Sequence, residues 1–279
     1  MIMRLSKPIL AFALAAISAA ATAGNLPPGA ACAGRAEIAG TEQVLAAGRT
    51  VLVGEGHGTN EMPDAFLRLV CSALRRGQPV AVGLEMHDLG GALGTYMAST
   101  GDPEARQAFL ADGFWTGSRD GRTSSAYFGM IEALRTMREQ GLPLSVFGLY
   151  DKPGMGDQLL ADRLRRERLA RPDALILTYT GNIHSMLKRA DWFPAQIPTP
   201  MGALVTDLHP VSIDLESDGG QSWSCNAPRE CHVQDIPTPP VTRGPLFVAQ
   251  PASQAGVYTL QVNVGRTTAS PPAVPVAKP

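Results

Sequence analysis

Beyond its N-terminus the chain lacks any apolar run long enough to span a bilayer, which takes about 20 such residues. It also lacks a surplus of either charge: 24 Lys and Arg stand against 25 Asp and Glu. No basic patch for nucleic acid results. The one dense positive stretch, Arg163-Leu164-Arg165-Arg166-Glu167-Arg168, has acids interspersed on a helical pattern and reads as a solvated helix face. Three catalytic templates are missing. There is no His-Glu-x-x-His, no Gly-x-Ser-x-Gly elbow and no phosphate-cradling Gly-x-x-x-x-Gly-Lys, so the zincin, serine-elbow and P-loop routes are excluded. No internal repeat is present.

Cysteine is scarce, with 4 in the chain, and the N-terminus says what those four are for. Arg4 and Lys7 form a positive region, residues 8–20 are apolar, and Ala21-Thr22-Ala23 fits a small-x-small cleavage pattern. Residues 1–23 therefore read as a secretory signal, which places the mature chain in the periplasm or outside the cell. Removing Arg4 and Lys7 leaves 22 basic residues against 25 acidic ones, a net charge of -3. In an oxidising compartment an even number of cysteines suggests disulfides. Cys225 and Cys231 flank a turn and are expected to pair across it. Cys32 with Cys71 would then tie the N-terminal arm to the first helix. A zinc site at Cys225, Cys231 and His232 has unusual spacing and no fourth ligand. Cys32 lies too far beyond the apolar run for lipid attachment.

Four apolar runs, at 50–54, 79–85, 144–150 and 174–180, do not alternate with polar residues and suit strands buried on both faces of a parallel sheet. Helical spacing lies between them at 63–76, 127–140 and 157–169. The expected fold is therefore α/β, a mostly parallel central sheet flanked by helices, in one domain over 24–266. After residue 202 the chain turns β-rich, with strands expected at 203–208, 210–215 and 256–264. The connection 91–125 holds one expected helix, 103–111, and its length suggests a pocket wall or lid. The Pro/Ala-rich end, 267–279, is expected to be disordered.

Reactive residues follow the ends of these runs. Gly54-Glu55-Gly56-His57 follows the first, Glu85-Met86-His87 ends the second, Tyr150-Asp151 follows the third and Gly181-Asn182-Ile183-His184 follows the fourth. Ligands of open α/β sheets bind outside the carboxyl ends of strands. Residues two apart on a strand share a side, so Glu55 with His57, and Glu85 with His87, can project together. If those two strands are neighbours, two carboxylates and two imidazoles converge. Such a cluster suits acid–base work or a divalent metal held by Glu55, His57, Glu85 and His184. Candidate substrate-binding residues are Glu61, His87, Arg119, Tyr150 and Asn182. Glu61 would either face the pocket or serve as an acid at a helix N-terminus. His209 and His232 read as structural or surface residues, and the cysteines as structural.

In Gly54-Glu55-Gly56-His57, Glu61, Glu85 and Gly181-Asn182-Ile183-His184, the chain resembles the superfamily that joins erythromycin-esterase-like proteins, ChaN-like haem-binding lipoproteins and the Tiki/TraB proteins. The resemblance spans residues 49–215. Its branches imply different activities. In esterase-like members a histidine at the position of His57 activates water, with glutamates matching Glu55 and Glu61 nearby. Tiki-like members are metal-dependent proteases whose Gly-x-x-His motifs match His57 and His184. ChaN-like members bind haem. The sequence departs from the esterases in the spacing between Glu and His, and from the lipoproteins in lacking a cysteine at the signal cleavage site. Three expectations result. The first is a hydrolase acting on a small-molecule or peptide ester or amide, with His57, Glu55 and Glu85 activating water and His184 and Arg119 steadying charge. The second is a non-catalytic haem or iron carrier with His or Tyr150 ligation. The third is an envelope scaffold.

Overall fold

The computed structural model describes residues 30–190, 193, 197–226, 230–250 and 256–275. The signal segment lies outside them. The four apolar runs form parallel strands, β1 Thr50–Glu55, β2 Val80–His87, β3 Leu144–Tyr150 and β4 Leu175–Gly181. The sheet is completed by β5 Val211–Glu216, β9 Leu260–Asn263 and the antiparallel edge strand β8 Phe247–Ala249, in the order β3-β2-β4-β1-β5-β9-β8. A separate hairpin, β6 Gly220–Cys225 with β7 Cys231–Ile236, stands beside it.

Burial on both faces explains the unbroken apolar runs. Val51 and Val53 of β1 join the larger core, and Leu52 between them joins the smaller one on the opposite face. Helices α1 Glu61–Arg75 and α5 Ser125–Glu139 cover the first face. Their Phe66, Leu67, Val70 and Leu74, and Met130, Ile131, Leu134 and Met137, are all buried, as the helical spacing predicts. Helix α6 Asp157–Ala170 covers the second face with Leu160 and Leu164. Both expected disulfides form, Cys32 with Cys71 and Cys225 with Cys231, which removes the zinc reading because a disulfide sulfur is no thiolate ligand. No helix among the described residues is long and apolar enough to cross a membrane.

The structure corrects three expectations. The connection 91–125 holds three helices rather than one: α2 Ala92–Ala98, α3 Pro103–Leu110 and α4 Gly113–Gly117. Asp102 and Asp112 start the latter two by accepting from Ala105 N and Phe114 N, both at 2.9 Å. Residues 203–208 form no strand. They lie in a short helix, α7 Met201–Leu204, and a 3-10 turn, Thr206–Leu208. The place beside β1 belongs to β5, and Met201 N is drawn to Asp157 Oδ1 at 2.6 Å. The end of the chain, finally, is ordered as far as it is described. Thr267 and Ser270 are buried, and residues 267–273 hydrogen-bond to three distant loops. Backbone pairing holds this segment, so its poverty in apolar side chains does not leave it loose.

Candidate active site

The site lies at the carboxyl ends of β1, β2 and β4. β4 sits between β1 and β2, so the two Glu-bearing strands are not neighbours. Gly181 at the end of β4 bridges that gap by having no side chain. A Cβ there would lie 2.9 Å from His57 Nε2 and 3.5 Å from Glu85 Oε2. Its N–H instead donates to Glu85 Oε2 at 2.7 Å. Glu85 and His57 thus meet across the intervening strand.

Around Glu85 the polar groups form one network. His57 Nδ1 holds Glu55 Oε1 at 2.8 Å, and the Tyr179 hydroxyl donates to the other oxygen of Glu55. His184 Nδ1 holds Asp157 Oδ1 at 2.8 Å. Each imidazole therefore has an acid behind it and turns Nε2 towards Glu85. His57 Nε2 is 3.7 Å from Oε2, and His184 Nε2 is 3.6 Å from Oε1. These separations exceed a direct hydrogen bond, so neither Nε2 is tied up by Glu85. Arg122 Nη1 lies 3.4 Å from Glu85 Oε1, and its guanidinium is gripped by Asp120 with Nη2 at 2.7 Å from Oδ2.

Glu55 is 2 % and Glu85 4 % exposed, so their charges need partners. Burial opposes a charge on His57, yet Glu55 and Glu85 outweigh it and raise the imidazole pKa to about 9. Burial likewise opposes a charge on His184, but Asp157 and Glu85 raise its pKa. Burial pushes Glu85 up, and the two imidazoles, the Gly181 N–H and Arg122 pull it below the ordinary carboxylate range. Burial, and then the neighbouring carboxylates, hold the Tyr127 and Tyr179 hydroxyls neutral by raising both well above 10.

A cleft of about 1120 Å³ opens above this network. His57, Glu85 and His184 form its floor, residues 116–122 one wall, and Ser222, Trp223 and Ser224 of the β6–β7 hairpin another. Its size exceeds the roughly 300–1,000 Å³ of common small-molecule pockets.

Of the expected substrate-binding residues, Arg119 lines the cleft with an exposed side chain, and its backbone carbonyl accepts from Trp223 Nε1 at 2.8 Å. The others stand aside. The register of β2 shifts between Leu84 and His87, so Glu85 enters the site while His87 stacks on Tyr150, ring centroids 4.8 Å apart. Tyr150 is buried, and burial followed by the Glu85 charge raises its pKa to about 12. Asn182 contributes its backbone carbonyl, which accepts from Ser185 and Tyr258. Glu61 starts α1 and binds Thr268 through N at 2.9 Å and Oγ1 at 2.6 Å, away from the cleft. His209 and His232 are exposed and do not line the cleft.

Sequence reasoning missed Arg122, Asp120, Asp157 and Tyr179. The first two sit two apart in Asp120-Gly121-Arg122, a spacing that lets a carboxylate orient a guanidinium within one tight turn. Tyr179 lies in the fourth apolar run, one strand from Glu55. Asp157 is the first residue of α6, and only the packed fold brings it to His184.

The residues do not fit a divalent metal. Among the described residues no group of three or more His, Cys, Asp or Glu side chains is placed to hold one. The oxygens of Glu55 and Glu85 are already engaged, and Arg122 sets a fixed positive charge beside Glu85. They do not fit haem either. His87 and Tyr150 are stacked on each other, the imidazoles of His57 and His184 face Glu85, and the cleft walls carry Arg119, Asp120, Ser222 and Ser224 rather than an apolar slot.

No protein family matches the chain by sequence, and no curated protein does. Solved structures do match. Erythromycin esterase EreC, in the open conformation of a histidine-to-asparagine mutant, superposes with a TM-score of 0.61 at 13% identity, covering 81% of this chain and 93% of its own. A succinoglycan biosynthesis protein gives 0.60 at 12% identity, covering 84% and 92%. A Bacillus cereus protein gives 0.53 at 10% identity, again covering 84% and 92%. At these identities the likeness is one of architecture: the chain has the same α/β fold as an erythromycin esterase across nearly all of that enzyme's length.

Proposed function

We propose that the chain is an exported hydrolase of the erythromycin-esterase-like superfamily that uses His57 to activate water against an ester or amide carbonyl. The carrying observation is the orientation of His57. Glu55 holds Nδ1 at 2.8 Å, and this fixes the tautomer whose Nε2 faces the cleft and Glu85. A water resting on Nε2 from the cleft side has Glu85 Oε2, 3.7 Å from that nitrogen, within reach as an acceptor for its second proton.

Neutral His57 takes one proton through Nε2 as the water oxygen bonds to the carbonyl carbon. The oxyanion that forms is met by the Arg122 guanidinium and His184 Nε2. His57 then returns the proton to the departing alcohol or amine as the carbon–heteroatom bond breaks. No covalent nucleophile is needed: the cleft's two cysteines are the disulfide-bonded Cys225 and Cys231, and His57 and His184 hydrogen-bond to Glu55 and Asp157 rather than to a cleft hydroxyl. Arg122 takes the part first assigned to Arg119 because its position is fixed by Asp120, whereas Arg119 projects into solvent. The width of the cleft supports a bulky substrate. Export is supported by the signal pattern at residues 1–23 and by the two disulfides.

The test is a panel of activated esters and peptides offered to purified wild-type protein and His57→Ala. Hydrolysis that falls by about 10²-fold or more in the variant supports the proposal. Equal turnover by the two, or no turnover of any substrate, defeats it.

A further inference from the structure

The C-terminal stretch 267–273 passes the outer side of the site and touches, in seven residues, three of the segments that build it. At its start it pairs with the base of the β6–β7 hairpin: Thr267 N donates to Gly219 O and Gln221 N donates to Thr267 O, both at 2.9 Å. It then runs antiparallel to the loop that follows β1. Thr268 binds Glu61 through its N and Oγ1, Asn60 N donates to Thr268 O at 3.1 Å, and Ser270 N donates to Gly58 O at 2.8 Å. Lastly it reaches the loop that carries Arg122. Ala126 N donates to Ser270 Oγ at 2.9 Å, Ser125 N to Pro271 O at 2.7 Å and Ala273 N to Thr123 O at 2.8 Å.

These loops meet next to His57 with no room to spare. Gly58 follows His57, has φ 86°, and its carbonyl accepts from both Ser270 N and Trp223 N. A Cβ on Gly58 would lie 2.1 Å from Trp223 O, and one on Gly121 would lie 2.2 Å from Gly58 N. The His57 loop, the Arg122 loop and the hairpin wall are thus in direct backbone contact, and the strap ties all three from outside. None of the strap residues 267–273 lines the cleft.

We propose that residues 267–273 are a positioning strap that sets the separation of His57, Arg122 and Trp223, so the site is complete only when this segment is docked. This rests on the hydrolase reading for its catalytic consequence, but not for its structural one. β9 ends at Asn263, and each strand of the sheet is paired without the strap. Loosening it therefore frees the loops and leaves the sheet intact. A displacement of about 1 Å between a base and the group it serves costs up to about 10²-fold in rate.

The test uses full-length protein. Ser270→Pro removes the N–H given to Gly58 and the hydroxyl that accepts from Ala126, and the extended backbone beside it already suits a residue before proline. Thr268→Val is a milder lesion that cuts the hydroxyl contacts to Glu61 and Asn60, and Thr268→Ser restores a hydroxyl. Amide exchange in 57–61 and 121–126 is expected to quicken by about tenfold or more in Ser270→Pro, and less in Thr268→Val, with peptides from β1 to β5 unchanged. On a hydrolysed substrate kcat falls by about 10²-fold while KM stays within about threefold, and Thr268→Ser behaves as wild type. Unchanged loop exchange, or exchange that quickens equally throughout the sheet, overturns the strap. Absence of any wild-type turnover removes the hydrolase reading alone, because the exchange data still decide the strap.

Discussion

His57 Nδ1 lies 2.8 Å from Oε1 of Glu55, a residue two positions earlier on the same strand end. The pairing is local, so β1 delivers the imidazole with its orienting carboxylate already attached. Glu55 is fixed in turn by the Tyr179 hydroxyl from β4. Glu55→Gln breaks this pair at the cost of one charge and little volume. The prediction is a fall in kcat/KM by about 10²- to 10⁴-fold on the alkaline plateau, where His57 is neutral in both proteins, with the fold kept, as measured by steady-state kinetics beside circular dichroism. A variant within about threefold of wild type would remove Glu55 from the mechanism.

Arg122 and Arg119 are only three positions apart and should behave differently. Asp120 and Glu85 hold the Arg122 guanidinium, while Arg119 serves the structure through its backbone carbonyl. Arg122→Ala should lower kcat by about 10²- to 10³-fold. Arg119→Ala should leave kcat within about threefold and raise KM by less than about tenfold, because it removes substrate binding only. Kinetics on the two single variants would separate them, and a larger effect at Arg119 would reverse the assignment.

Asp214 on β5 makes a pH prediction outside the site. Burial, then the neighbouring Glu216, raises its pKa from 3.8 to about 8, and its Oδ1 is buried without a hydrogen-bond partner. Between about pH 4 and 8 the folded state keeps this proton while the unfolded state has lost it, so the group makes stability fall as pH rises across that window. Asp214→Asn removes the dependence. Denaturant melts at pH 5 and pH 8 should show the variant gaining on wild type by a few kcal/mol, as an order of magnitude, at the higher pH. A gain at pH 5 and none at pH 8 would contradict the protonation assigned to Asp214.

The Cys32–Cys71 bridge closes a sequence separation of 39 residues between the N-terminal arm and α1. Loop closure of that length is worth about 4 kcal/mol. Replacing both cysteines with serine should lower Tm by roughly 8–16 °C for a domain of this size, read by thermal melts with and without reductant. A Tm that reductant leaves unchanged in the wild type would show that the bridge contributes nothing.

The fold was legible because four unbroken apolar runs can only be buried from both sides, and because helical spacing filled the gaps between them. Glu55, His57, Glu85 and His184 were legible by the same logic, as polar residues where buried strands end. The local rule failed at His87, because the irregular register at the end of β2 turns it from Glu85 towards Tyr150. Arg122, Asp157 and Tyr179 were hidden because the site groups they meet, Glu85, His184 and Glu55, lie at least 27 residues away, in contacts that only tertiary packing creates. The C-terminal segment misled for a different reason. Composition reports how much apolar area a segment can bury, whereas residues 267–273 are held by backbone hydrogen bonds and by the Thr268 and Ser270 hydroxyls, which apolar content does not register.

The pH dependence of kcat/KM on an activated ester tests the water-activating role of His57 most directly. The imidazole must be neutral to accept a proton, and its pKa is raised to about 9. The neutral fraction therefore grows as pH rises through that value, and kcat/KM is predicted to climb to a plateau above it, with the inflection moved to lower pH in Glu55→Gln. A profile that is flat, or that falls between pH 7 and 9, contradicts the account.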